Sequence, residues 1–310
     1  MFPLSDKAIP DPLRAGLRGV GQVFFQENAI TGACFVLGIL LSSPAMAIGA
    51  VVGSAIGTAT AWALKYDKSE LSAGIYGFNS TLVGIATLFF FRPGVVSVGL
   101  LIVGCVVAAI VTWLARRYVP FPTYTGPFIV TTWGVFFLGL AMGAARVEPG
   151  GPLGAVGYVG AALNGVSQVM FQASYWTAAL FLIGIGLNDW QHASWVLVGS
   201  IIGMLAGSFH DGTTASGLDP ESLVERTLRE NVALGLYGYN ATLAAVALFL
   251  WRRSVIPPLL GILLSVALTD LLPLLGLPAL TAPFVLATWI VLSFGWLDGR
   301  LFREKVVPAS

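Results

Sequence analysis

The sequence predicts an all-α polytopic membrane protein made of two inverted repeats, each with five transmembrane helices plus one re-entrant half-helix. Three observations predict it. The 310 residues are 56% hydrophobic and only 10% charged, with a mean hydropathy of +0.85, whereas soluble domains carry about 25% charged residues. Three short motifs occur twice, in the same order, about half a chain apart. The apolar segments give an odd number of spans per copy, so the second copy must lie inverted relative to the first. The two units are expected at 1-150 and 151-310.

The first motif is Leu17-Arg18-Gly19-Val20-Gly21-Gln22-Val23, answered by Leu163-Asn164-Gly165-Val166-Ser167-Gln168-Val169. The second is Tyr76-Gly77-Phe78-Asn79-Ser80-Thr81-Leu82, answered by Tyr237-Gly238-Tyr239-Asn240-Ala241-Thr242-Leu243. The third, Phe121-Pro122-Thr123-Tyr124-Thr125-Gly126-Pro127-Phe128, returns as Leu277-Pro278-Ala279-Leu280-Thr281-Ala282-Pro283-Phe284. The offsets of 146, 161 and 156 residues show motifs kept in order while the loops between them vary.

Apolar segments run over 12–26, 29–42, 44–64, 94–115 and 126–145, with a shorter one near 76–91. The second half repeats them at 155–172, 174–187, 193–209, 232–250, 255–276 and 282–298. A full span needs about 20 apolar residues. The segments opening with Asn79 and Asn240 are therefore expected to be half-helices that enter and leave by one face. With the N-terminus in the cytoplasm, this count puts twelve of the sixteen basic residues inside, and Lys65, Lys68, Arg92 and Arg146 outside. The stretch from Phe209 to Glu230, with His210, Asp211, Asp219, Glu221, Glu225 and Arg226, reads as a solvated cytoplasmic loop with a short amphipathic helix.

Several classes are excluded by composition. A net charge of +1 gives no general attraction to nucleic acid. Cys34 and Cys105 lie inside apolar segments and read as reduced, buried thiols, with no CxxC pattern. The N-terminus lacks the basic stretch and apolar core of a cleaved signal. No HExxH or GxSxG motif supports an enzyme, and the two histidines, His192 and His210, fall at boundary or loop positions. No cofactor is expected.

The polar residues inside the apolar runs carry the functional reading. Gln22 and Gln168 hold matching places, and each amide offers two donors and a carbonyl acceptor without bringing a charge into the membrane. Thr125 and Thr281 each stand one residue before a Gly or Ala that precedes proline, and the proline is expected to free nearby carbonyls to face a cavity. Phe25 and Phe171 lie three residues beyond the glutamines, so ring and amide should share a helix face. Leu82 and Leu243 close the Asn-x-Thr-Leu motifs. Two inverted copies would bring two sets of acceptors to one pseudo-symmetric axis, suited to a neutral, planar solute rich in N–H donors. Buried ionisable groups of the kind ion-coupled transporters use are missing from mid-span positions; Glu27, Asp189 and Asp270 lie near span ends.

These six motif copies, covering nearly the whole chain, resemble those of the urea transporters of bacteria and animals, and the chain looks like a bacterial member. The resemblance implies one pore per subunit, a homotrimer in the cytoplasmic (inner) membrane, and passive, channel-like flux of urea. It assigns Gln22 and Gln168 to the pore mouths, Thr125 and Thr281 to the narrow centre, and Phe25, Phe171, Leu82 and Leu243 to an apolar slot. The chain departs from the family at Glu27-Asn28-Ala29 and Ala173-Ser174-Tyr175, where Asn-Asn-Pro or Asp-Asn-Pro is common, and at Ala241, which lacks the hydroxyl of Ser80. A channel for ammonia, short amides or another small neutral solute is the alternative. Membrane lipid is the remaining expected partner.

Overall fold

The computed structural model describes residues 4–148, 156–215 and 230–301. Its regular structure is helical: α1 (Asp11–Gly21), α2 (Ala29–Ser42), α3 (Pro44–Ala63), α4 (Lys68–Ser72), α5 (Phe78–Phe90), α6 (Val95–Tyr118) and α7 (Gly126–Ala141). They are followed by α8 (Tyr158–Ser167), α9 (Tyr175–Asn188), α10 (Trp190–Ala215), α11 (Gly238–Trp251), α12 (Ile256–Leu268), α13 (Leu271–Leu274) and α14 (Ala282–Leu301). Four stretches, Pro44–Ala63, Val95–Tyr118, Trp190–Phe209 and Ile256–Leu274, are long and apolar enough to cross a membrane. Their outer faces carry exposed Leu, Val, Ile and Trp, the pattern of helices solvated by lipid rather than water.

The bends do not fall where the sequence places them. Asp11–Phe24 and Ala29–Ser42 meet at 74°, and Tyr158–Met170 and Tyr175–Asn188 at 71°. Each bend has the same local cause: a 3₁₀ turn, Gln22–Phe24 or Gln168–Met170, ends on a residue held at φ 61°, Phe25 or Phe171. The next helix is then capped by the Asn28 side-chain Oδ1, accepting from Ile30 N at 2.8 Å, or by the Ser174 hydroxyl, accepting from Thr177 N at 3.3 Å. Residues 12–26 and 29–42 thus form one sharply bent pair, a broken span or a re-entrant element. Asn28 and Ser174 thereby have a plain role as helix caps.

The half-helix opening with Asn79 is short, as expected, but its path differs. Glu70 pairs with Arg116 at the C-terminal end of α6, and Asn79, at the start of α5, bonds Thr112 two turns from the end of α6. The far end of α5 lies beside the end of α7, where Arg92 N donates to Ala145 O and Val147 N to Phe90 O. α5 has 13 residues against the 24 of α6, the expected half-length, but the chain from Glu70 to Val95 leads from one end of α6 to the other instead of returning to the end it came from. Arg18 Nη1 also donates to Ser72 O at 3.2 Å. Lys68, on the same short helix as Glu70 and Ser72, therefore lies at the end of the bundle that holds Arg18 and Arg116, and Lys65 just precedes it, so the inside-outside assignment of these lysines is overturned. In the second half, α10 continues to Ala215, so His210 and Asp211 are helical; residues 216–229 of the expected loop lie outside the described residues.

The two halves grip each other through reciprocal contacts. Thr31 Oγ1 donates to Gly184 O and Thr177 Oγ1 to Gly38 O, both at 2.7 Å. Trp133 Nε1 donates to Pro278 O and Trp289 Nε1 to Pro122 O, both at 2.9 Å. Residue i meeting j while the counterpart of j meets the counterpart of i is the mark of an isologous, two-fold arrangement. Phe24, Phe35 and Phe181 fill the α2–α9 seam, with ring centroids 4.7 to 5.7 Å apart.

Glycine explains why the first two motifs travel together. A Cβ on Gly19 would lie 3.0 Å from Gly77 Cα, and one on Gly165 the same distance from Gly238 Cα. The backbones of α1 and α5, and of α8 and α11, therefore touch at these pairs, and no side chain fits between them. That contact sets the glutamine of the first motif beside the chain that leads into the second.

Candidate functional site

The centre of the molecule is built from the third motif. Pro127 and Pro283 sit in the first turns of α7 and α14, where a missing N–H costs nothing, so they start helices rather than break them. The threonine carbonyls are consequently engaged: Ile129 N donates to Thr125 O at 3.0 Å and Val285 N to Thr281 O at 3.2 Å. The prolines therefore do not free these two carbonyls. The hydroxyls are the polar groups presented instead. Thr125 and Thr281, each 2% exposed, bring their Oγ1 atoms within 2.6 Å of each other across the seam between the halves.

The glutamines share a place in the fold but not a bonding state. Gln22 and Gln168 each open a 3₁₀ turn and are half-buried. Gln22 Nε2 donates to Ala73 O at 2.9 Å. Gln168 Oε1 is buried and finds no hydrogen-bond partner among the described residues; Asn164 Oδ1, one turn earlier on the same helix, is in the same state. An unpaired buried acceptor such as Gln168 Oε1 is costly unless something donates to it.

Gln168, Phe171 and Thr281 line one cavity of about 400 Å³. Its walls are mostly apolar, from Phe89, Phe90, Leu236 and Pro278, with Asn231, Thr269 and Asp270 among its polar groups. This is the composition of a small-molecule site: apolar walls with a few placed polar atoms. A larger groove, about 820 Å³, runs between α1, α3 and α4, but none of the eight residues singled out in the sequence lines it.

Phe25 and Phe171 do not lie on a helix face with the glutamines, as their spacing suggested; the left-handed backbone turns them off it. Phe25 packs edge-on against Tyr124 at 5.9 Å and Phe284 at 6.2 Å. Phe171 packs against Phe89 at 4.9 Å and Phe128 at 6.3 Å. Leu82 and Leu243 are fully buried in the core and do not line the cavity. Sequence reasoning missed Tyr124, Phe284, Phe89 and Phe90, because nothing in a run of aromatic residues distinguishes a wall from packing.

The surroundings of Gln22 differ electrostatically from those of Gln168. Arg18 donates to both carboxylate oxygens of Asp6, at 2.8 and 2.9 Å, and to Glu27 at 3.2 Å, while Asp6 also accepts from Ala29 N. The Arg18 hydrogen bonds, partly opposed by burial and helped by the Ala29 amide, hold the Asp6 carboxyl below its usual range. The clamp is therefore present at neutral pH and is lost only on acidification below the ordinary carboxylate range. Asn164 stands in the place of Arg18 in the second copy and carries no charge.

A model of the urea transporter family matches residues 13–295, which takes in the bent pairs, the threonine pair and the cavity. The chain belongs to the urea transporter family. Among curated relatives, it is 26% identical to urea transporter 1 of Capra hircus over 317 residues, covering 94% of this chain and 79% of that protein. The corresponding mouse protein, from Mus musculus, is 26% identical over 314 residues, with 93% and 78% covered. That of Rattus norvegicus is 27% identical over 315 residues, with the same coverage. Membership places the chain among membrane transporters of small polar solutes and not among enzymes. Among the described residues, no group of three or more His, Cys, Asp or Glu is placed to hold a metal ion. Cys34 and Cys105 are free thiols.

Proposed function

We propose that this urea transporter family member conducts urea passively, through a pore between the two halves that leads from Gln22 past the threonine pair to Gln168. The observation that carries the reading is the buried Thr125–Thr281 hydroxyl contact on the seam between the halves, with the Gln168 cavity opening on one side of it. A solute entering an apolar slot gives up water, and an unpaired buried polar group costs about 1 to 3 kcal/mol. Urea offers N–H donors to Gln168 Oε1 and to either threonine oxygen, and a carbonyl to the threonine hydroxyls. The two hydroxyls share one hydrogen bond when no solute is present, and an entering solute exchanges for it. Binding of this kind is weak enough to release the solute onward.

In this reading residues 1-150 and 151-310 are inverted repeats. Each crosses the membrane five times if a bent pair counts as one pass, and the bend supplies the re-entrant character. The protein is a homotrimer in the cytoplasmic (inner) membrane of a bacterium, with cytoplasmic termini, lipid around it and one pore per subunit. Phe25, Phe171, Leu82 and Leu243 belong to the apolar slot, the two leucines as its packed backing.

Purified protein in sealed vesicles tests the solute. Urea permeability at least tenfold above protein-free vesicles is expected, with glycerol near the protein-free level, because the slot matches a flat amide and not a non-planar triol. An ammonia permeability exceeding that of urea would favour the alternative channel instead.

A further inference from the structure

The second motif holds a residue that the solute path does not use. Asn79 and Asn240 are fully buried, and each bonds the turn that carries the central threonine of its own half. A helix that starts inside an apolar bundle leaves its first N–H groups without partners, and a threonine at the N-cap ordinarily accepts from one of them. Thr125, at the N-cap of α7, makes no such side-chain bond, because its hydroxyl is turned to Thr281. The duty passes to the asparagines: Phe128 N donates to Asn79 Oδ1 at 3.1 Å, and Phe284 N to Asn240 Oδ1 at 3.2 Å.

The other end of each amide holds the residue before the threonine. Asn79 Nδ2 donates to Tyr124 O and Asn240 Nδ2 to Leu280 O, both at 3.4 Å. Tyr124 and Leu280 sit at φ 44° and 45°, a left-handed conformation that side chains other than glycine resist. Each bracket is braced: Asn79 by Thr112 Oγ1 at 2.9 Å, and Leu280 O by the Tyr239 hydroxyl at 2.5 Å. A carboxamide suits the position because it is an acceptor and a donor on one rigid plane.

We propose that Asn79 and Asn240 are positioning residues that cap α7 and α14 from a neighbouring helix, so that the Thr125 and Thr281 hydroxyls are released from capping and held face to face. The proposal rests on the reading of the threonine pair as the centre of the solute path. Its test has two arms so that the two claims separate.

In the first arm, Thr125→Cys with Thr281→Cys places two thiols where the hydroxyls touch, and mild oxidation is expected to join them in a disulfide identified by peptide mass. Adding Asn79→Leu or Asn240→Leu is expected to slow that cross-link at least tenfold. In the second arm, Asn79→Leu and Asn240→Leu, with both threonines intact, are expected to lower the maximal urea rate at least tenfold while the half-saturating concentration stays within twofold, since the glutamines are untouched. Unchanged cross-linking in the leucine variants overturns the positioning claim, as does a loss of flux that comes with a matching shift in half-saturation. Should a leucine variant fail to fold, Thr112→Val, which removes only the brace on Asn79, takes its place: a two- to fivefold slower cross-link is expected, and the unaltered rate overturns the proposal. A wild-type protein that carries no urea would sink the functional reading, while the cross-linking arm would still decide whether the asparagines position the threonines.

Discussion

Replacing both Thr125 and Thr281 with valine is expected to lower urea flux by a factor of ten or more while the protein stays folded. Valine keeps the shape of threonine and removes the hydroxyl, and the hydroxyls are the polar groups that the two halves present at the centre. Each bond that the solute can no longer make there costs about 1 to 3 kcal/mol in a buried site, and 1.4 kcal/mol is a factor of ten. Stability should follow a different order. A single Thr125→Val leaves the Thr281 hydroxyl buried without its partner, whereas the double variant leaves no orphan. The singles should therefore melt below both the wild type and the double variant in detergent, a non-additive pattern that a double-mutant cycle reads directly. Wild-type flux in the double variant would mean that the hydroxyls are packing and not path.

Gln168→Ala is expected to raise the half-saturating urea concentration about 2- to 10-fold, the equivalent of one neutral hydrogen bond of about 0.5 to 1.5 kcal/mol. It should cost no stability, because the substitution removes an acceptor that has no protein partner. Gln22→Ala should also weaken binding, but it breaks the bond to Ala73 O and loosens the chain leading into α5, so its melting temperature should fall as well. The contrast is the informative result. Two variants with the same loss of stability, or Gln168→Ala with unchanged half-saturation, would remove the ground for treating the unpaired Gln168 oxygen as a solute acceptor.

How much of this was legible in the sequence differs from residue to residue. The duplication was legible, because six motif copies survive at near-constant offsets, and so was the pairing of Thr125 with Thr281, since two-fold related copies bring equivalent residues to one axis. The left-handed turns were not: Phe25, Phe171, Tyr124 and Leu280 are residues for which positive φ is rare, and their propensities point to helix or strand. Without those turns the bends are lost from the reading, which puts Phe25 on a helix it has already left; the span count likewise separates Lys65 and Lys68 from Arg18 and Arg116, whose end of the bundle they share. Proline misled for a related reason, since its effect depends on whether it falls in the first turn or the interior of a helix, and only the structure fixes where α7 and α14 begin. The inequality of the two glutamines was invisible in principle, because it depends on the carbonyl of Ala73, 51 residues from Gln22.

The central claim, passive passage of urea through one molecule, is tested most directly in sealed vesicles that hold equal urea inside and out when a proton or sodium gradient is imposed. Protein-containing vesicles should equilibrate labelled urea far faster than protein-free ones, at a rate indifferent to either ion gradient, with no net accumulation. Sustained accumulation in the protein-containing vesicles alone, or equilibration no faster than in protein-free vesicles, would contradict the account.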